Sequence, residues 1–390
     1  MFFFERLTFN SIILYTCYMK IGIDTFASSG GKSGVGVYLM ELLKRLPSDL
    51  QFELFGWDYD RYVYSEAAPD CEFVSRCRFN GRSANTLWHL VKYPKLAVSH
   101  GYKTCFFPAA HRRIPFRSPC TAIGTIHDMA AYWGTRKTHE SLGIIRMILP
   151  DSLRHLDHII AVSEFVKQEL IDLVNVKESN ITVIPNGIDT SVFYPRPRNE
   201  ESVVLIQPFS FRRPYILYAS RLDYPVKNHI KLIKAFGIFK ERTKYPHRLI
   251  LAGADSKNAD IIKYAVSASK HRNDIFFTGH FPFTSLPELY AGAEFVVYPA
   301  MYEGFGMGVL EAMASGVPVA CARAASLTEA ADHAALYFDP EDIEEMADRM
   351  ISLTDTELAE DLSRKGLERV KAFSWSECAK KTFDLIRETI

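Results

Sequence analysis

Glu303 and Glu311 stand eight residues apart, with glycines at 304, 306 and 308 between them, in the run Glu303-Gly-Phe-Gly-Met-Gly-Val-Leu-Glu311. A carboxylate accepts hydrogen bonds from pairs of hydroxyls, and glycines let a ligand come close to the backbone. Val309-Leu310 reads as a helix start. A helix N-terminus attracts phosphate through its free N–H groups and positive end. Just ahead, Phe295-Val-Val-Tyr298-Pro299 reads as a short buried strand that stops at a proline. Strand, glycine loop and helix start make a seat for phosphate or a polar sugar. Glu303 lies at the loop mouth and Glu311 along the helix. Such turns also occur as plain structure, so the run gains meaning only from what accompanies it.

Arg221 and Lys227 lie in Ser220-Arg-Leu-Asp-Tyr-Pro-Val-Lys-Asn228, between a strand and a helix. A guanidinium fork and an ammonium point charge on such a loop suit a diphosphate; the plain alternative is a solvated loop. Gly34 and Gly36 close the run Ser28-Ser-Gly-Gly-Lys-Ser-Gly34-Val-Gly36. Gly31-Lys32-Ser33 fails as a P-loop because Phe26 stands where glycine belongs, and Leu39 breaks the dinucleotide fingerprint. What remains is a glycine turn at a helix start, able to offer N–H groups to phosphate. His127-Asp128 ends Gly124-Thr-Ile-His-Asp with no nucleophile-elbow serine beside it. Contact with a substrate hydroxyl is its functional reading, a structural loop its plain one. Asp58-Tyr-Asp60 has the spacing of a metal-holding pair but sits among Trp57, Tyr59, Tyr62 and Tyr64, and reads as surface loop. No metal site is expected.

These residues need elements to position them. Strand patterns fall at 21–24, 51–55, 104–107, 121–126, 158–162, 181–184, 215–219, 248–252, 275–278, 295–298 and 317–320, with helical patterns after many of them. Alternating strand and helix implies parallel sheets covered on both faces, with ligands beyond the carboxyl ends of the strands. A length of 390 residues implies more than one domain. The rhythm breaks over 194–214, which reads as an interdomain linker. The expected domains are 19–200 and 212–373, and 1–18 is an appendage or upstream extension. A Ser374-Trp375-Ser376 cap starts a last helix over 376–390. Its apolar Phe383, Leu385 and Ile386 predict that it returns to pack on the first domain.

Composition is that of an ordinary globular enzyme, 48% apolar and 24% charged. Lys plus Arg equals Asp plus Glu at 46 each, so no global field favours nucleic acid. The 7 cysteines form no Cys-x-x-Cys and read as reduced thiols in a cytoplasmic setting. No apolar run is long enough to span a bilayer. One stretch is anomalous: residues 73–127 hold 9 Lys and Arg and no Asp or Glu. Arg112, Arg113 and Arg117, between strands and near Pro108 and Pro115, are its sharpest cluster. They could face an anionic acceptor or membrane surface, or simply be solvated.

In order along the chain, these motifs resemble the retaining glycosyltransferases of family 4. They are Ile21-Gly-Ile-Asp24 with Gly34-x-Gly36; Thr125-Ile-His127-Asp128; Leu149-Pro-Asp-Ser-Leu through Val162-Ser-Glu-Phe165; Val183-Ile-Pro-Asn-Gly-Ile-Asp189; Arg221 with Lys227-Asn228; and Glu303 with Glu311. The resemblance covers about residues 19–390 and is strongest to the O-antigen and capsule mannosyltransferase-like branch. It implies an α/β protein of GT-B fold: two facing Rossmann-like domains with parallel sheets and a cleft between them. Glu311 would hold the ribose hydroxyls of the donor, alongside backbone N–H groups of Gly304, Phe305, Gly306 and Met307. Glu303 and His127 would flank the transferred sugar. Arg221 and Lys227, next to Asn228, would neutralise the leaving diphosphate. Gly34 and Gly36 would approach phosphate or acceptor from the other domain.

The implied partners are a nucleotide-diphosphate sugar, GDP-mannose first, and a glycan or polyprenyl-diphosphate-linked acceptor. No cofactor and no nucleic acid are implied. The expected location is cytoplasmic, with peripheral contact at the inner face of the cell membrane. One departure stands out: Ser326-Leu-Thr-Glu329 continues as Ala330-Ala-Asp-His333, away from the family's usual turn. The readings that compete are a sugar-nucleotide epimerase or phosphorylase on a related scaffold, and a catalytically silent sugar-nucleotide-binding subunit.

Overall fold

A computed structural model of the protein describes residues 20–389, apart from 27, 29, 30, 32, 77–81, 131–142, 198–202, 207, 208 and 257. The extension over 1–18, Lys32 and Arg78 lie outside the described residues.

The first domain is built on β1 (Lys20–Asp24), α1 (Gly34–Leu43), β2 (Gln51–Trp57), α2 (Asp60–Tyr64), β3 (Glu72–Arg76), α3 (Arg82–His100), β4 (Thr104–Phe107), β5 (Thr121–Ile126), α4 (Gly143–Arg154), β6 (His158–Ala161), α5 (Glu164–Val174) and β7 (Ile181–Val183). Its strands form one parallel sheet in the order β3-β2-β1-β4-β5-β6-β7. Strands such as β4 and β6 are buried along nearly their whole length, as a sheet covered on both faces requires. Helix ends follow local rules. Ser163 caps α5 by accepting from the Val166 amide at 3.2 Å, and Asn175 closes it in the left-handed region at φ 57°.

A short antiparallel hairpin follows, β8 (Val203–Ile206) with β9 (Phe209–Arg212). The segment over 194–214, expected as an interdomain linker, thus contains a strand pair that the sequence reading did not include. Its prolines and charges do break the βα rhythm, but Val-Val-Leu-Ile is β-branched and apolar enough to pair.

The second domain comprises β10 (Tyr215–Ala219), α6 (His229–Thr243), β11 (Arg248–Ala252), α7 (Ala259–Ser267), β12 (Ile275–Phe277), α8 (Leu286–Gly292), β13 (Phe295–Tyr298), α9 (Met307–Ala314), β14 (Val319–Ala322), α10 (Leu327–Ala331), β15 (Ala335–Phe338), α11 (Ile343–Ser352) and α12 (Thr356–Arg369). Its parallel sheet runs β12-β11-β10-β13-β14-β15. The strand expected at 317–320 starts instead at Val319, because Pro318 has no N–H to give the ladder.

In each sheet the order reverses once, between β1 and β4 and between β10 and β13. Crevices for ligands open at such switch points. Asp24 ends β1, His127 follows β5, and the segments leading to Arg221 and Glu303 leave β10 and β13.

The last helix, α13 (Trp375–Thr389), packs on the first domain. Trp375, Cys378, Phe383 and Ile386 share a core with Tyr38, Leu39, Leu42 and Phe52. Arg387 forks onto Asp49 at 2.8 and 3.0 Å. The crossing rests on Gly187, where any Cβ would overlap the backbone of Trp375. Among the described residues no helix is long and apolar enough to cross a membrane.

Candidate active site between the domains

On the second domain, two loops converge beyond β10 and β13. The loop after β10 carries Lys227, whose ammonium forms an ion pair with Glu303. The same carboxylate oxygen accepts from the Tyr298 hydroxyl at 3.1 Å. Backbone bonds tie the two loops: the Met301 amide donates to Val226 O at 3.0 Å, and the Tyr218 hydroxyl to Lys227 O at 2.9 Å. Asn228 begins α6 from the left-handed region, φ 54°, and its side-chain amide donates to Pro340 O at 2.8 Å. Asn228 thus braces the cation loop from behind. Arg221 is exposed on the same loop.

After Glu303 the chain turns through Gly304 and Gly306, the latter at φ 94°, a region that favours glycine, and enters α9 at Met307. Phe305 points back into the core, edge-on to Phe373 at 5.7 Å. Met307 is half-buried. Gly308 is demanded by packing, since a Cβ there would come within 2.7 Å of the Tyr298 ring. Glu311 lies one turn further along. Burial pushes its carboxyl up to about 7. A carboxyl partly withdrawn from water gains from hydroxyl donors that favour its ionised form.

On the first domain, His127 donates from Nε2 to Pro108 O at 2.9 Å, which leaves Nδ1 as the acceptor of a neutral ring. Burial lowers its pKa to about 4. Tyr38 stands edge-on to it at 4.7 Å and is itself fixed by Thr125 Oγ1 at 3.0 Å. His111 lies 5.5 Å away ring to ring, and its Nε2 is 3.9 Å from Asp128. Burial lowers His111 to about 3. Burial alone would raise Asp128, but His111, the Ala130 amide and Arg112 hold it below the usual range. The domains touch here. A Cβ on Gly304 would overlap the carbonyl oxygen of His127, so only glycine admits this approach. Ser163 Oγ donates to Gly304 O at 2.6 Å.

Comparison with known proteins agrees with this layout. The model described as Glycosyltransferase Family 4 matches residues 32–192, and that described as Glycosyl transferases group 1 matches residues 206–369. The chain belongs to the family 4 glycosyltransferases. Its relatives include O-antigen chain mannosyltransferase B of Escherichia coli, 28% identical over 94% of this chain and 99% of that one. O-antigen chain mannosyltransferase RfbU of Salmonella typhimurium is 25% identical over 69% of this chain and 71% of its own. The fold is GT-B. Sucrose-phosphate synthase of Thermosynechococcus elongatus superposes with a TM-score of 0.73 at 20% identity, covering 95% of this chain and 98% of that one. HepE of Anabaena, solved with UDP and glucose, gives 0.71 at 18% identity, covering 95% and 100%.

The remaining residues expected at the glycosyltransferase site divide. Gly34 opens α1 with nothing near its Cβ position, whereas Gly36 is filled by its own loop, with Gly31 Cα at 2.6 Å and Ser28 O at 2.7 Å. Gly36 therefore serves the turn. Arg112 and Arg113 stay close to the cleft: Arg112 lies within electrostatic reach of Asp128 and Arg221, and Arg113 of Asp24. Arg117 is exposed beyond them. Asp60 corrects the surface-loop reading of Asp58-Tyr-Asp60. It is buried, accepting from Thr25 Oγ1 at 3.0 Å and the Trp57 amide at 3.2 Å. Ser326 was marked by sequence only as part of an unusual turn, yet its hydroxyl donates to Glu303 O at 2.8 Å and steadies the carboxylate's backbone.

Proposed function

We propose that this glycosyltransferase moves a hexose, mannose first, from a nucleoside-diphosphate sugar to a glycan or polyprenyl-diphosphate-linked acceptor, with retention of configuration and without a metal. The observation that carries the reading is the Lys227–Glu303–Tyr298 knot at the switch point of the second sheet, with Arg221 on the same loop and His127 across the cleft. A departing diphosphate gathers negative charge. Fixed cations and the N–H groups at the start of α9 stabilise it without having to reorganise. A unit charge pair at about 4 Å is worth ~4 kcal/mol at an effective dielectric near 20, and about 1.4 kcal/mol is tenfold in rate. The Lys227 ammonium is held by Glu303. An arriving diphosphate competes for it and leaves the Glu303 carboxylate beside the sugar. Neutral His127 offers Nδ1 to a sugar hydroxyl from the opposite wall.

The mannosyltransferase relatives support mannose, and HepE with UDP makes UDP-sugars the second choice. The deciding experiment incubates the protein with GDP-mannose and a panel of UDP-sugars, with and without a lipid-linked glycan acceptor. Nucleoside diphosphate should be released from one donor, faster with acceptor, and far more slowly by Lys227→Ala. No release from any donor, or release indifferent to that substitution, overturns the reading.

A further inference from the structure

The residues that flank Glu303 are tied to the first domain by contacts that the transfer chemistry itself does not require. Tyr302, just before Glu303, is buried. Its hydroxyl accepts from the Met129 amide at 2.7 Å and donates to Glu169 Oε2 at 2.6 Å. Its ring stands edge-on to Phe165 at 5.7 Å. Gly304, just after Glu303, has its carbonyl held by Ser163 Oγ. Glu329, on α10, accepts from the Phe165 amide at 2.6 Å and the Glu164 amide at 2.8 Å, two of the free N–H groups that open α5. Met129 and α5 belong to the first domain; Tyr302, Gly304 and Glu329 belong to the second.

The Met129 amide lies two residues after His127 and is buried, and a buried N–H requires an acceptor. That acceptor comes from the other domain. One residue therefore holds, through its hydroxyl, the amide two residues past His127 and stands next to Glu303 in the chain. We propose that Tyr302 is the positioning residue that brings the His127 wall into register with Glu303, with Ser163 and Glu329 holding the same seam closed. This rests on the proposed reading of His127 and Glu303 as the walls around the transferred sugar.

The donor nucleotide is held by the second domain, so loss of the Tyr302 hydroxyl should spare nucleotide affinity and slow turnover. The test is Tyr302→Phe, with the affinity for GDP and UDP measured by calorimetry, kcat for the donor that wild type uses, and the radius of gyration from small-angle scattering. Nucleotide affinity should stay within about twofold, kcat should fall about tenfold or more because misplacement of about 1 Å can cost ~100-fold, and the particle should be larger than wild type. Glu169→Gln, whose amide oxygen still accepts, should keep most of the turnover, while Glu169→Ala should behave as Tyr302→Phe does. If Tyr302→Phe does not fold, Glu329→Ala carries the same test from the rim of the seam. Wild-type kcat and dimensions overturn the proposal. So does a parallel loss of nucleotide affinity, melting temperature and kcat, which would mark a merely structural tyrosine. If wild type uses no sugar nucleotide, the functional reading fails, and the scattering measurement still decides the seam.

Discussion

The Glu311 carboxyl, raised to about 7 by burial, is partly protonated at neutral pH in the free protein. A hydroxyl pair donates to the ionised form and lowers the carboxyl's pKa in the complex. Nucleotide binding should therefore expel a proton below about pH 7, and affinity should rise with pH between about 6 and 8 before levelling. Calorimetry in buffers of different ionisation enthalpy measures this directly; Glu311→Gln should flatten the dependence. A pH-independent affinity in the unaltered protein would remove Glu311 from the nucleotide site. A companion expectation separates binding from turnover. Ribose hydroxyls do not change during the reaction, so Glu311→Ala should raise the donor KM with kcat little altered. Diphosphate charge grows toward the transition state, so Lys227→Ala should lower kcat. A KM effect alone for Lys227→Ala would contradict its role. Glu303 and Glu311 were legible from sequence because their spacing is covalent. Tyr302 and Ser163 were not, because their partners lie 173 and 141 residues away in the chain.

At the scale of elements, the loop from β13 to α9 is shaped by glycines with different duties. Gly304→Ala would put a methyl group into the His127 carbonyl, so the domains cannot close as they do here. Turnover should fall at least tenfold, about 1.4 kcal/mol in the barrier, with the melting temperature nearly unchanged; full activity would mean that this approach is dispensable. Helix α13 poses a different question. Its Trp375 is buried over Gly187 and beside Tyr38, at 6.2 Å ring to ring. Trp375→Ala should cost about 3–5 kcal/mol of stability, as for other large core deletions, measured by denaturant unfolding. A loss under about 1 kcal/mol would show that the crossing adds little to the first domain.

For the whole molecule, the described cations of the acid-free stretch 73–127 differ in what lies near them. Arg112, although exposed, lies within electrostatic reach of Asp128 and Arg221, and half-buried Arg113 of Asp24, while Lys92 and Lys95 of α3 and Arg117 are exposed. The Tyr93 hydroxyl meets Ser118 at 2.7 Å, which joins α3 to the turn that carries Arg117. If the acceptor is lipid-linked, these outward cations are the ones to meet an anionic bilayer, each worth about 1 kcal/mol near the surface. Co-sedimentation with anionic vesicles should exceed that with neutral ones, weaken as salt rises, and drop when Lys92, Lys95 and Arg117 become Ser. Equal binding to both vesicle types would favour a soluble acceptor.

Sequence alone determined the alternation of strand and helix, the glycine turns and the ordered motif set, because hydrophobic period, turn chemistry and spacing are written into neighbouring residues. It did so down to the strands that carry Asp24, His127, Arg221 and Glu303 toward the cleft. It misjudged Asp60, whose burial depends on Thr25 on another strand's loop, and did not mark the strand pair within the linker. Tertiary structure alone decided that Lys227 grips Glu303, that Gly304 touches His127, and that Tyr302 spans the seam. Distances between elements follow from how two sheets and their helices pack as solids, and no local stretch of residues encodes them.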